Sequence, residues 1–271
     1  MNFDLVVAGV GGQGVLTIAA VLDRAAHAAG LYVKQSEVHG MAQRGGAVSA
    51  FVRISDQPVA SDLIALGHAS LLISVEPLES LRYTQLLRPD GQIVSDITPM
   101  VNLTNYPPMD DIERVLFSAP RLVAIDATRL AQKAGTVKAQ NVAVLGAAAM
   151  HLPLPMELIE QQITALFARK GERIVNANLH AFRKGDSASR FTSALLAAGV
   201  PGDTLARVVS HIHFPPHPVA QPMLAACIEL LLHGDSAALL ARLQAHDELT
   251  RLEALTDLIA HEGHTVSVAA H

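Results

Sequence analysis

The chain has 271 residues, half of them hydrophobic and 17% charged, which excludes a disordered protein and demands a sizeable buried core. A formal net charge of −5 leaves no basic footprint for nucleic acid, and 4% aromatics with no tryptophan supply no base-stacking platform. One cysteine, Cys227, permits neither an intrachain disulfide nor an iron–sulfur cluster, which takes several thiolates. No basic segment followed by an apolar stretch opens the sequence, and runs such as 142–150 are far too short to span a bilayer. The expectation is a cytoplasmic protein without membrane segments.

Residues 3–8 form a continuous apolar run ending at Gly9, the pattern of a strand buried on both faces. Gly9-Val10-Gly11-Gly12-Gln13-Gly14 follows, satisfying G-x-G-x-x-G between a strand and a helix. Such glycines permit a tight turn, close approach of a phosphate and close helix–strand packing. A tight turn without a ligand is the bland alternative. The helix over 13–29 is stopped by Gly30, and a second strand is expected over 31–35, paired in parallel with the first through a right-handed crossover. A dinucleotide site asks for an acid at the end of that second strand; it ends Val33-Lys34-Gln35, and Glu37 comes two residues too late.

Glu37, His39, Gln43, Arg44, Gly45 and Gly46 make a second constellation. Arg44 beside two glycines offers a guanidinium fork next to freed backbone N–H groups, suited to a phosphate or carboxylate. His39 is a candidate for proton transfer oriented by Glu37, and Gln43 joins them as an interface candidate. The plain alternative is a loop at a subunit interface.

Further along, 47–54 alternates as a strand, and Ser61 is expected to cap a short helix to 66. A buried strand over 69–75 precedes a helix from Glu76-Pro77 to about 87, then a Pro89-Asp90-Gly91 turn and a strand over 92–95. Residues 102–109 are expected as loop, 121–125 as the last strand, and 127–134 as helix. Helices are then expected over 142–150, from Pro155 to 170, and over 172–184. Beyond Gly185 come amphipathic stretches over 189–198, 204–212, 219–233 and 237–260, with Phe214-Pro215-Pro216-His217-Pro218 as a linker. The architecture expected is α/β: a three-layer Rossmann-like domain with a mostly parallel or mixed sheet over 1–185, and a helical extension over 186–271. His211, His213 and His217 space as H-x-H-x3-H without a carboxylate or thiol, so a solvated connector is expected and no metal. Cys227, within an apolar helix, is expected in the core.

GVGGQGVLTIAAVL, EVHGMAQRGGAVSAFVRISD, NVAVLGAA and VNANLHAF together resemble one family, the small subunit of indolepyruvate ferredoxin oxidoreductases, and more broadly the gamma-type domain of 2-oxoacid:ferredoxin oxidoreductases. The resemblance spans residue 1 to about 185. It implies an auxiliary subunit, inactive alone, of an enzyme that oxidatively decarboxylates an arylpyruvate-type 2-oxoacid to an acyl-CoA. Thiamine diphosphate and the iron–sulfur clusters then reside on a large partner subunit, with ferredoxin accepting electrons through the complex. A homodimer stays open. Coenzyme A phosphates or a subunit contact would fall to Gly9, Gly11, Gly12, Gln13, Gly14, Arg44, Gly45 and Gly46. No catalytic residue is assigned. The Gly-Asp pairs at Gly185, Gly202 and Gly234 lack the following Asn-Asn of a thiamine site, which agrees with that division. A free-standing Rossmann oxidoreductase using NAD(P) or flavin, and a nucleotide-sensing module, are the alternatives.

Overall fold

The computed structural model describes residues 1–39, 45–101, 104–244, 249–252 and 254–255. A six-stranded sheet runs in the order β2-β3-β1-β4-β5-β6. Its strands are β1 (Asn2–Val10), β2 (Tyr32–His39), β3 (Ala47–Ser55), β4 (Ala69–Ser74), β5 (Leu87–Asp96) and β6 (Leu122–Ile125). β1, β4, β5 and β6 are parallel, whereas β3 is antiparallel to both β1 and β2. The sheet is therefore mixed, and the fold is α/β.

The expected β1–β2 parallel pair is corrected. β3 takes the place between them, matching β1 residue for residue from Asn2–Ser55 to Val10–Ala47 and β2 from Tyr32–Ser55 to His39–Val48. Antiparallel ladders along both of its edges give the strand's backbone groups partners on either side, which a local β-α-β reading does not foresee. β2 is also longer than expected, so Glu37 lies inside a strand, opposite Ala50.

Alternation sorts the core into layers. Leu5 and Val7 of β1 face α1 (Val15–Ala28), α5 (Gln140–Ala149), α6 (Met156–Phe167) and α7 (Glu172–Ala197) in the largest apolar cluster. Val6 and Ala8 face the other way, toward Ile64 and Leu72, with Tyr83 and Leu86 packed on them. α2 (Pro77–Arg82) and α3 (Met109–Leu116) cover that second face, and α4 (Ala127–Ala134) joins α5 and α7 on the first. α3 follows directly on the loop expected over 102–109, in a stretch to which the sequence assigned no element; Pro108 starts it, and Ile112 and Leu116 are its buried side. α2 ends earlier than expected and passes through a single turn at Thr84–Leu86 into β5, whose 89–91 segment sits at a register shift.

The helix expected over 61–66 does not form. Its carbonyls are taken by side chains of the sheet: Arg53 donates to Ser61 O and Leu63 O at 3.1 Å each, Lys34 to Ala60 O at 2.8 Å, and Ser36 to Asp62 O at 3.4 Å. Ser61 still caps, but only as a turn, accepting from Leu63 N at 3.1 Å.

α7 runs unbroken through the position where the sequence suggested a stop. At Gly185 a Cβ would stand 2.0 Å from Ala143 O, and at Gly146 one would stand 1.8 Å from Phe182 O. These glycines let α5 and α7 approach backbone to backbone, so Gly185 is a packing residue and not a terminator. Beyond α7 come α8 (Gly202–Val209), β7 (Ile212–His213), α9 (Gln221–His233), α10 (Ser236–Gln244) and β8 (Thr250–Arg251), which pairs with β7. The helix expected over 237–260 is thus broken by β8; 256–260 lie outside the described residues. The Pro-rich break is no open linker. Phe214 is fully buried against Phe191, ring centroids 5.4 Å apart, and Lys184 Nζ donates to Phe214 O at 2.8 Å. Of the three histidines, His211 and His213 are half-buried, His211 Nδ1 lies 2.7 Å from Arg207 O, and His217 is exposed. Cys227 is buried, and burial pushes its thiol up to about 11.

Candidate functional site

The glycine loop joins β1 to α1 and is tied to the start of β3. Gly11 N–H donates to Gly46 O at 2.7 Å and Gly45 N–H to Gly11 O at 3.3 Å, so the two glycine segments that the sequence set apart are one structure. Gln13 closes it from within. Its Oε1 accepts from Val10 N at 2.8 Å and its Nε2 donates to Val75 O at 3.0 Å. That amide is spent on the fold, as is Gly9, where a Cβ would meet Val75 Cγ2 at 2.3 Å. Gly12 and Gly14 carry the left-handed turns, φ 103° and 84°.

What remains open is a cleft of about 440 Å³. Val10, Val15, Leu16 and Val48 form its apolar walls around the edges of Gly11, Gly12 and Gly14. Gly14 is the N-cap of α1, and the first turn of a helix keeps N–H groups without intrahelical partners. The site thus combines a mainly aliphatic surface with a few backbone donors, and no charged side chain lines it among the described residues. Gln43, Arg44 and the side chain of His39 lie outside what the structure describes.

Glu37 is not part of this cleft. It accepts from Gln35 Nε2 at 2.6 Å on the exposed edge strand. Its charge also adds to burial in pushing the Asp23 carboxyl of α1 up to about 6, and Asp23 Oδ1 is buried without a hydrogen-bond partner. Three groups that sequence reasoning missed matter more. Asn141, at the start of α5, donates from Nδ2 to Gly14 O at 3.2 Å. Its neighbour Gln140 donates to Asp96 Oδ2 at 2.5 Å, while Asp96 Oδ1 accepts from Thr98 N at 3.0 Å and Ala127 N at 3.1 Å. Burial, only partly offset by these donors, pushes Asp96 up to about 7. Glu76, just past β4, accepts from Glu79 N at 2.8 Å through Oε2 and, through Oε1, from Met100 N at 3.3 Å and from Tyr106 OH. Burial and that carboxylate raise the Tyr106 phenol. NVAVLGAA contains Asn141 but gave it no role, and Glu76 was legible only as the start of a helix.

On the side of β1 that faces β4, where a doubly wound sheet receives a nucleotide, Gln13 is bound to Val75 O, and Glu76 just past β4 is bound to Tyr106. No acid ends β2 either. A free-standing dinucleotide enzyme is not favoured.

Comparison with known proteins decides the lineage. The family model described as pyruvate ferredoxin/flavodoxin oxidoreductase matches residues 4–188. The chain belongs to this family. An indolepyruvate oxidoreductase subunit IorB from Archaeoglobus fulgidus is 40% identical over 194 residues, covering 68% of this chain and 94% of that one. Among solved structures, the keto/oxoacid ferredoxin oxidoreductase gamma subunit from Geobacter sulfurreducens superposes with a TM-score of 0.51 at 23% identity, covering 69% of this chain and 98% of that one. The 2-oxoglutarate:ferredoxin oxidoreductase from Magnetococcus marinus gives 0.56 at 18% identity, with 73% of this chain matching 37% of a longer one. The fold is that of the family's gamma subunits, and as such a subunit the chain implies a catalytic partner. Its one thiol, Cys227, is buried, and no group of three or more potential metal ligands occurs among the described residues.

Proposed function

We propose that this chain is the auxiliary small subunit of an indolepyruvate-type 2-oxoacid:ferredoxin oxidoreductase of the cytoplasm. A large partner subunit carries the thiamine diphosphate and the iron–sulfur clusters and passes electrons to ferredoxin. The observation that carries this is the 40% identity to an indolepyruvate oxidoreductase subunit along nearly that relative's whole length. On this reading residues 1–185 form the gamma-type domain, 186–271 are an added extension, and the glycine cleft is a contact surface for the large subunit. Its aliphatic walls suit a buried protein contact better than a pyrophosphate. The unpartnered amides of the first turn of α1, with Arg44 next in sequence to the Gly45 that donates to Gly11 O, favour a second role in enclosing coenzyme A, which the Magnetococcus marinus structure contains.

The test is co-expression with the large subunit. A stable complex that oxidises indolepyruvate with coenzyme A and reduces ferredoxin is the expected outcome, with the small chain inactive alone. Turnover by the lone chain with NAD(P) would sink the proposal.

A further inference from the structure

Asn141 is a polar side chain in a helix that is otherwise almost wholly apolar, and it is only 6% exposed. Its Nδ2 reaches across 127 positions of sequence to the carbonyl oxygen of Gly14. The same oxygen accepts from Thr17 N at 3.0 Å and Ile18 N at 3.2 Å, so three donors converge where the loop becomes helix. The fit depends on glycine: a Cβ on Gly14 would stand 2.4 Å from Asn141 Nδ2. The amide also arrives on an anchored backbone, because Gln140 beside it is bound to Asp96.

We infer that Asn141 is the positioning residue of the glycine cleft: it holds the Gly14 peptide plane, and through it the first turn of α1, in the orientation that forms the cleft wall. Gln13 secures the loop at the end of β1, but it is a member of the loop. Asn141 approaches from α5, which is seated against α7, so the wall of the cleft takes its shape from the rigid helical layer behind it. The proposal deepens the reading of the cleft as a contact surface and rests on it for the functional consequence.

Asn141→Ala in the full chain tests it by hydrogen exchange. Removing one net hydrogen bond speeds exchange at the Thr17 and Ile18 amides about three- to tenfold, with wild-type rates kept at Phe191 and Leu195 of α7. In the complex, the dissociation constant for the large subunit rises by a similar factor. Wild-type exchange at Thr17 and Ile18 overturns the positioning role, whatever assembly does. Faster exchange with unchanged association and unchanged KM for coenzyme A upholds the positioning role and overturns the contact-surface reading. Should the alanine variant not fold, Asn141→Leu keeps the size and loses the donor without adding a charge. A merely space-filling Asn141 predicts wild-type exchange for Asn141→Leu.

Discussion

α5 is held at its start and along its body by opposite kinds of physics. At the start, Gln140 and Asn141 reach outward with amides to a buried carboxylate and a loop carbonyl. Along the body the contacts are of bare backbone; Gly146 lies against Phe182 O of α7, and Ala143 O against Gly185. Hydrogen bonds are directional and worth little net, so the polar end fixes orientation more than stability. Close packing is unforgiving of added volume, so the seam fixes the distance between layers. A functional surface placed at the polar end is thereby adjustable without endangering the fold.

The seam should break hardest. Gly146→Ala or Gly185→Ala drives a methyl into a backbone carbonyl that cannot swing away, and either is expected to cost roughly 3 kcal/mol or more, read from urea unfolding. Soluble, equally stable variants would show that the helices part easily.

The buried carboxylate comes next. Asp96 sits at about 7 in the folded chain against an ordinary 3.8. Because the folded value is the higher one, the folded state holds the proton more tightly. Stability contributed by the neutral form is present below about pH 4 and is lost as pH rises through 7. At ~1.4 kcal/mol per pKa unit the loss approaches ~4 kcal/mol as an upper limit. Asp96→Asn should therefore flatten stability between pH 4 and 8 and gain on the wild type at pH 8. An unchanged slope would assign that pH dependence elsewhere.

The smallest effects belong to the loop. Gly12→Ala has open space but a φ of 103°, so backbone strain of about 1–2 kcal/mol is its whole cost. Gly14→Ala adds the collision with Asn141, and the double change with Asn141→Ala should recover that part by about 0.5–1 kcal/mol in a thermodynamic cycle. Additive energies would separate the two residues.

Much of the site was legible in the sequence because it is local. The apolar run, the glycines and the helix after them are contiguous, and β1, the loop and α1 stand where the pattern puts them. The chemistry of the loop was not legible, because it is decided at long range. Gln13 looks free in sequence and is bound to Val75, while Gly11 and Gly46 meet only because β3 lies against β1. Ser61 has the residue type of a helix cap, yet Arg53 and Lys34 capture the carbonyls a helix would need. Gly185 reads as a stop when the sequence is taken alone and as a contact once α5 is beside it.

The extension shares its interior with the rest of the chain. Leu195, Leu205, Ile212, Phe214, Cys227, Leu239 and Leu249 belong to the same apolar cluster as Leu5 and Val7. The family match ends at residue 188, inside α7, nine positions short of the end of that helix at Ala197. Exchange of this subunit with a shorter relative therefore has no clean crossover point at that boundary. A junction there cuts a helix in mid-course and divides one apolar cluster, Leu5 and Val7 lying on one side and Phe191 and Phe214 on the other.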